Sequence, residues 1–478
     1  MLQAFVAAGL AAAAVLGFAA QAQAAPSVFT PGPCAGDFTG VAHKVDCGVL
    51  AVDESRGQAG ARRVALPVAI VRALAPKAGL PPVIYLHGGP GGGVLSGLPR
   101  TLRSPAAREM IAIDQDWIYF DQRGAGVSAP SLDCGRVDLT DAGPLSQAAA
   151  DSLVACAQRH VAAGVDLSRY NAAEVARDVA DLRRALGIGA FDLVGGSYGV
   201  RIEFAILTHA VEGVRAVVMD SPWSPEAKWA DGGPKMVADA VRLILAKCQA
   251  DAACRAKHPT LEADFAALAR GWLAKPFVKA GRTYAADDLG GFLMEAAYSA
   301  EGARALPRDL AKIIRGDMSL LDASIAERSG YAEAQHLTHL CKEEFPFEDR
   351  AAVAAGAAGD PIAGLLVASM QRYFDVCRAY PVGPADPLEQ RPVTSSIPAL
   401  FLAAEIDPGC PPHIAEAAAK RFSRGQFVVI PNTTHGVSGR SACARRMVRA
   451  FLANPAAPVD RACLSPEHDR FVFDLEDG

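Results

Sequence analysis

The run Leu193-Val194-Gly195-Gly196-Ser197-Tyr198-Gly199 constrains the fold more than any other part of the chain. It starts in an apolar segment, Phe191-Asp192-Leu193-Val194, of the kind that makes a buried strand. It then turns sharply through glycines and continues as Val200 to Leu207, a helix-like segment. A serine framed by Gly195 and Gly199 fits a nucleophile elbow, in which the serine sits on a strained strand-to-helix turn. The spacing has a steric reason. Strand and helix nearly touch on either side of the serine, so the positions two before and two after it must carry no side chain. Ser197 would then project its hydroxyl at the C-terminal edge of a sheet, near a helix N-terminus. The pentapeptide alone fits equally a Gly-rich turn with an incidental serine, and the rest of the chain has to separate the two.

The chain has 478 residues, 51 % of them hydrophobic, enough for a large core with a second domain or an insertion. Its net charge is −5 with the signs mixed, and no basic stripe points to a nucleic-acid partner. Residues 1–24 read as a secretory signal: Leu10 to Ala20 is apolar, and Ala22-Gln23-Ala24 fits a cleavage site before Ala25. Met1-Leu2-Gln3 lacks the basic residue usual in such a leader. The apolar run is short and followed by Gln21 and Gln23, which argues against a stable membrane anchor. Eleven cysteines point the same way, to a secreted or periplasmic protein. Ten can be taken as neighbours, 34–47, 134–156, 248–254, 341–377 and 443–463, which leaves Cys410; sequence alone does not prove that pairing. No Cys-x-x-Cys or histidine cluster offers a metal site, so neither metal nor cofactor is expected.

After a loose arm, Ala25 to Pro33, two strands are expected at Lys44 to Val52 and Arg63 to Ala73, the second with the mixed pattern of a sheet edge. Val83 to Leu86 reads as a central strand and runs directly into His87-Gly88-Gly89-Pro90-Gly91-Gly92-Gly93. Bare backbone N–H groups in such a loop can approach a developing negative charge. Gly88 or Gly89 would supply one donor of an oxyanion hole and Tyr198, next to the nucleophile, the other. His87 is read as shaping the loop. Trp117 to Phe120 is a further strand, and it ends in Asp121-Gln122-Arg123-Gly124, whose Asp and Arg are read as holding a turn together. Helices are expected at Pro144 to Ala162 and Ala173 to Leu186, and the apolar run Val214 to Met219 ends at Asp220.

The glycine run after His87, the turn from Asp121 to Ser128, and Gly195-Gly196-Ser197-Tyr198-Gly199 occur in this order. Together they resemble the proline iminopeptidase family of α/β-hydrolases, and more closely its secreted, cysteine-bearing tripeptidyl-aminopeptidase-like branch. The resemblance covers about residues 34–223 and 395–465. It implies a mainly parallel sheet flanked by helices. Tyr198 stands where proline iminopeptidases usually carry Trp, which puts strict proline specificity in doubt. From Ser224 to about Val393, Ala-rich amphipathic segments replace strand-like runs, as in an inserted helical cap. The expected organisation is a signal at 1–24, a hydrolase core at 25–223 and 395–478, and a cap at 224–394.

The sheet resumes at Ala399 to Ala404, followed by Glu405-Ile406-Asp407-Pro408, a helix from His413 to Phe422 and a last strand, Gln426 to Ile430. Among ten histidines, His435 alone follows a final apolar strand and precedes a glycine. Ser197, Asp407 and His435 thus lie after strand ends in the chain order of α/β-hydrolases. Asp407 is preferred over Asp220 and Glu405 by position and by the resemblance. Asn432-Thr433-Thr434 also spells a glycosylation sequon, read as coincidence beside that loop. The family implies an exopeptidase acting at the amino end of peptides. Glu343 and Glu344, among aromatics beside Cys341, are the candidate carboxylates for a substrate ammonium; the other reading is a solvated acidic turn. The same triad serves an esterase, amidase or lactonase, so the partner is a peptide or a small acyl substrate. A non-catalytic binding protein of this fold is a third reading, disfavoured because all three candidate residues are present.

Overall fold

A computed structural model describes residues 26–135, 147–326, 332–465 and 471–476. The expected signal at 1–24 lies outside the described residues. The strands, in chain order, are β1 (Val28–Pro31), β2 (Val45–Asp53), β3 (Arg63–Val71), β4 (Val83–Leu86), β5 (Trp117–Phe120), β6 (Phe191–Gly196), β7 (Val214–Asp220), β8 (Phe277–Lys279), β9 (Arg282–Tyr284), β10 (Ala399–Ala404) and β11 (Gly425–Ile430). Nine of them form one sheet in the order β1-β2-β3-β5-β4-β6-β7-β10-β11. Pairing is antiparallel from β1 through β3 to β5 and parallel from β5 to β11. The pleat sends alternate residues to opposite faces. Val64, Leu66, Val68 and Ile70 of β3 pack on one face with helix Ala172–Ala185 and helix Tyr198–His209. Ala69 and Val71 face the other way, toward Leu98, Val448 and Phe451.

Two expectations need correction. β3 is not an edge strand, since it lies between β2 and β5. Pro67 fits there because the β5 ladder stops at Val68 opposite Phe120, so no sheet donor is lost. The arm before it is not all loose, because Val28–Pro31 pairs with β2 as the true edge. Between β7 and β10 the chain is mostly helical, with its own core built on Val241, Phe265, Leu293 and Leu306. It also holds the small β8–β9 hairpin, where the sequence suggested no strand. Disulfides join 34–47, 134–156, 248–254, 341–377 and 443–463, as the neighbour pairing has it. Cys410 is free and buried. Among the described residues no helix is long and apolar enough to cross a membrane.

Candidate active site

β6 delivers Ser197 to the sheet edge, and the turn is as tight as its glycines demand. Ser197 has φ 55° and ψ −123°, a conformation that side-chain-bearing residues seldom adopt. A Cβ on Gly195 would stand 2.8 Å from Glu203 Cδ, and one on Gly199 would stand 2.1 Å from the Leu86 carbonyl oxygen. Helix Tyr198–His209 begins immediately after the serine, so its first N–H groups have no acceptor within the helix. Gly88 lies against this turn: a Cβ there would be 2.8 Å from the Gly196 oxygen and 3.0 Å from Ser197 Cβ. The next residue, Gly89, has φ 135°, open to glycine and strained for other residues. Backbone donors from two loops therefore flank the serine. His87 shapes this loop, with its carbonyl accepting from Gln122 Nε2 at 2.7 Å and its ring closing on Gly92. Asp121 ties the same loop down by accepting from the N–H groups of Val94, Leu95 and Val127.

Asp407 and His435 meet beyond the ends of β10 and β11. His435 Nδ1 lies 2.9 Å from Asp407 Oδ2 and 3.1 Å from Oδ1. Asp407 Oδ1 also accepts from the N–H groups of Gly409, at 3.0 Å, and Cys410, at 2.8 Å. Burial pushes the imidazole pKa down, but the Asp407 carboxylate and its hydrogen bond, with Asp220 further off, outweigh this and raise it. The two rival acids are occupied elsewhere. Glu405 binds Lys247 Nζ and Asn432 N. The Asp220 carboxylate accepts from Val437 N and Ser438 N, both at 2.8 Å, while the Asp220 carbonyl accepts from Ser197 N at 2.9 Å. One residue thus ties the elbow and the histidine loop together, and Ser221 Oγ adds a bond from Gly436 N.

Residues 365–463 match the family model described as TAP-like protein. Over 157 residues the chain is 32 % identical to the tripeptidyl aminopeptidase of Streptomyces lividans, covering 30 % of this chain and 28 % of that relative. Similar solved structures include the proline iminopeptidase of Mycobacterium smegmatis, at 16 % identity, 85 % and 98 % coverage of the two chains and a TM-score of 0.40. Another is a proline iminopeptidase-related protein of Thermus thermophilus, at 15 % identity, 87 % and 98 % coverage and a TM-score of 0.37. Strand order and elbow geometry decide the fold. This chain has the α/β-hydrolase fold.

Within this fold the helices between β7 and β10 bring Glu343 and Glu344 to the elbow helix, and neither is solvated. The two differ in what they have left to offer. Glu343 Oε1 accepts from Ala172 N at 2.6 Å and lies 3.0 Å from His339 Nδ1; its Oε2 accepts from the Tyr198 hydroxyl at 2.8 Å. Burial disfavours its charge, but His339, Arg201 and the Ala172 N–H outweigh burial and hold the carboxyl below its usual range. Glu344 Oε1 lies 3.1 Å from Arg201 Nη1, whereas Oε2 has no partner at good hydrogen-bond geometry, the Trp223 indole acting on the carboxyl only weakly. Burial pushes the Glu344 carboxyl up to about 8 against the pull of Arg201.

Sequence reasoning missed three residues here. Arg201 is 1 % exposed and binds the carbonyls of Pro225, Glu343 and Glu389, so it anchors three inserted segments to the elbow helix. An arginine inside a mostly apolar helix was the available signal. His339 contacts the Tyr198 hydroxyl. Tyr298, from helix Ala286–Tyr298, sets its ring edge-on to His435 at 4.8 Å and 81°. A Cβ on Gly409 would stand 1.7 Å from the Tyr298 hydroxyl, so the loop after Asp407 needs glycine there.

Proposed function

We propose that this protein is a secreted serine hydrolase that releases residues or short peptides from the amino end of peptides. Ser197 carries the reading: a strained residue persists where the surrounding structure over-determines it, and such residues cluster at active sites. Ser197 Oγ attacks the substrate carbonyl while His435 takes its proton. The N–H groups of Tyr198 and of Gly88 or Gly89 receive the negative charge that develops on the carbonyl oxygen. His435 returns the proton to the leaving amine, and water then releases the acyl group from Ser197. Asp407 fixes the imidazole tautomer through Nδ1 and stabilises its cation. Five disulfides support an oxidising compartment. The likeness to a tripeptidyl aminopeptidase supports action at the amino end.

The test is fluorophosphonate labelling of the mature protein beside paired assays. Label is expected on Ser197 and absent from Ser197→Ala, with tripeptidyl- or aminoacyl-anilides cleaved in preference to a short acyl ester. Absence of label on the folded protein overturns the hydrolase mechanism; preferential ester cleavage moves the assignment to an esterase.

Glu344 is proposed as the carboxylate that meets the substrate ammonium, with Glu343 holding the segment behind it. A cation beside a buried carboxyl favours its ionised form, so binding the amine releases the proton that burial retains. Glu344→Gln is expected to raise KM for free peptides about tenfold or more, with little change for an N-acetylated peptide. Equal KM values for the variant and the parent on free peptides would remove Glu344 from substrate binding.

A further inference from the structure

Three residues at the end of β10 and β11 form a group that the hydrolytic reaction does not need in full. Asp407, Cys410 and His435 place a carboxylate oxygen, a thiol sulfur and an imidazole nitrogen within 4.8 Å of one another. Asp407 and His435 have roles in the reaction proposed above. Cys410 has none: its backbone N–H supports Asp407, and any residue but proline could do that. Its side chain is 5 % exposed and unpaired, while the other ten cysteines form disulfides.

We propose that Asp407, Cys410 and His435 form a site for a borderline-soft divalent cation, Zn2+ by preference, whose occupation reversibly silences the enzyme. One nitrogen, one sulfur and one oxygen donor make a set that suits zinc, and three protein ligands leave a fourth position for water. Bonds to zinc of about 2.0–2.3 Å require these atoms to close in by roughly an ångström. Cys410 and His435 both sit in loops at the strand ends, and occupation of the site requires their side chains to rotate there. Binding expels the thiol proton to solvent and forms the metal–thiolate bond. Either imidazole nitrogen that binds the cation ends catalysis. Through Nε2 the cation occupies the lone pair that takes the Ser197 proton; through Nδ1 it replaces the bond to Asp407.

The silencing half of this inference rests on the proposed triad; the site itself does not, and the experiment separates them. Full-length mature protein is titrated with Co2+ and followed by absorption, and separately with Zn2+ and followed by activity. A thiolate-to-cobalt band with tetrahedral visible bands is expected. The band reports Cys410 alone, since no other cysteine is free. Ser197→Ala keeps the band; Cys410→Ala and Cys410→Ser lose it. Zn2+ is expected to inhibit the parent, a chelator to restore it, and the two Cys410 variants to need at least about tenfold more Zn2+. Absence of the cobalt band overturns the site, whatever the activity. A band without inhibition overturns the silencing, as does equal inhibition of parent and Cys410→Ala.

Discussion

Asp407→Asn is expected to give a folded protein whose kcat/KM on peptide substrates is about 10,000-fold below the parent. Asn preserves the shape and can still accept from the N–H groups of Gly409 and Cys410. It removes the charge that stabilises the imidazolium, and its amide can force the wrong tautomer on His435. The pH profile gives a second readout. On the proposed mechanism His435 must be neutral to act as base, so activity is expected to fall as pH drops through its pKa. Asp407 is the main influence raising that pKa against burial, so in the Asn variant the acidic limb moves to lower pH. Steady-state kinetics across pH check both points. Undiminished turnover would mean that the acid lies elsewhere.

The second large effect is steric. Gly199→Ala puts a methyl group 2.1 Å from the Leu86 carbonyl oxygen. The neighbour is backbone at the end of β4, so relief requires moving the elbow helix off the sheet. A cost of at least about 4 kcal/mol is expected, at the severe end for single substitutions. Thermal melting together with fluorophosphonate labelling checks it: the variant melts well below the parent or fails to accumulate, and any folded fraction labels poorly. A variant that melts and labels like the parent would show that strand and helix are not this close.

Much of the fold was legible because its signals are local. Val83–Leu86, Trp117–Phe120 and Ala399–Ala404 are short apolar runs bounded by proline, histidine or acidic residues, and each forms the strand expected of it. The elbow was legible for the same reason, since its geometry is dictated by seven consecutive residues. β1 was not, because an exposed edge strand lacks the burial pattern that marks the others. The position of β3 depends on which strand lies beside it, which no local pattern records.

The candidate site divides along the same line. Ser197, Asp407 and His435 follow strand ends, so chain order alone suggested them. The partners of Glu343 did not emerge that way: Tyr198 lies 145 positions away and Ala172 lies 171 away. Asp220 was weighed only as a rival acid. That its carbonyl and its carboxylate serve two different loops is a fact of three dimensions.

The Tyr298 ring leaves a mark on how such a molecule can work. His435 hangs from the sheet, but one of its two supports belongs to the inserted helices. A displacement of those helices would carry that support away from the imidazole. On the hydrolytic reading proposed above, the posture of the base is tied to the placement of those helices.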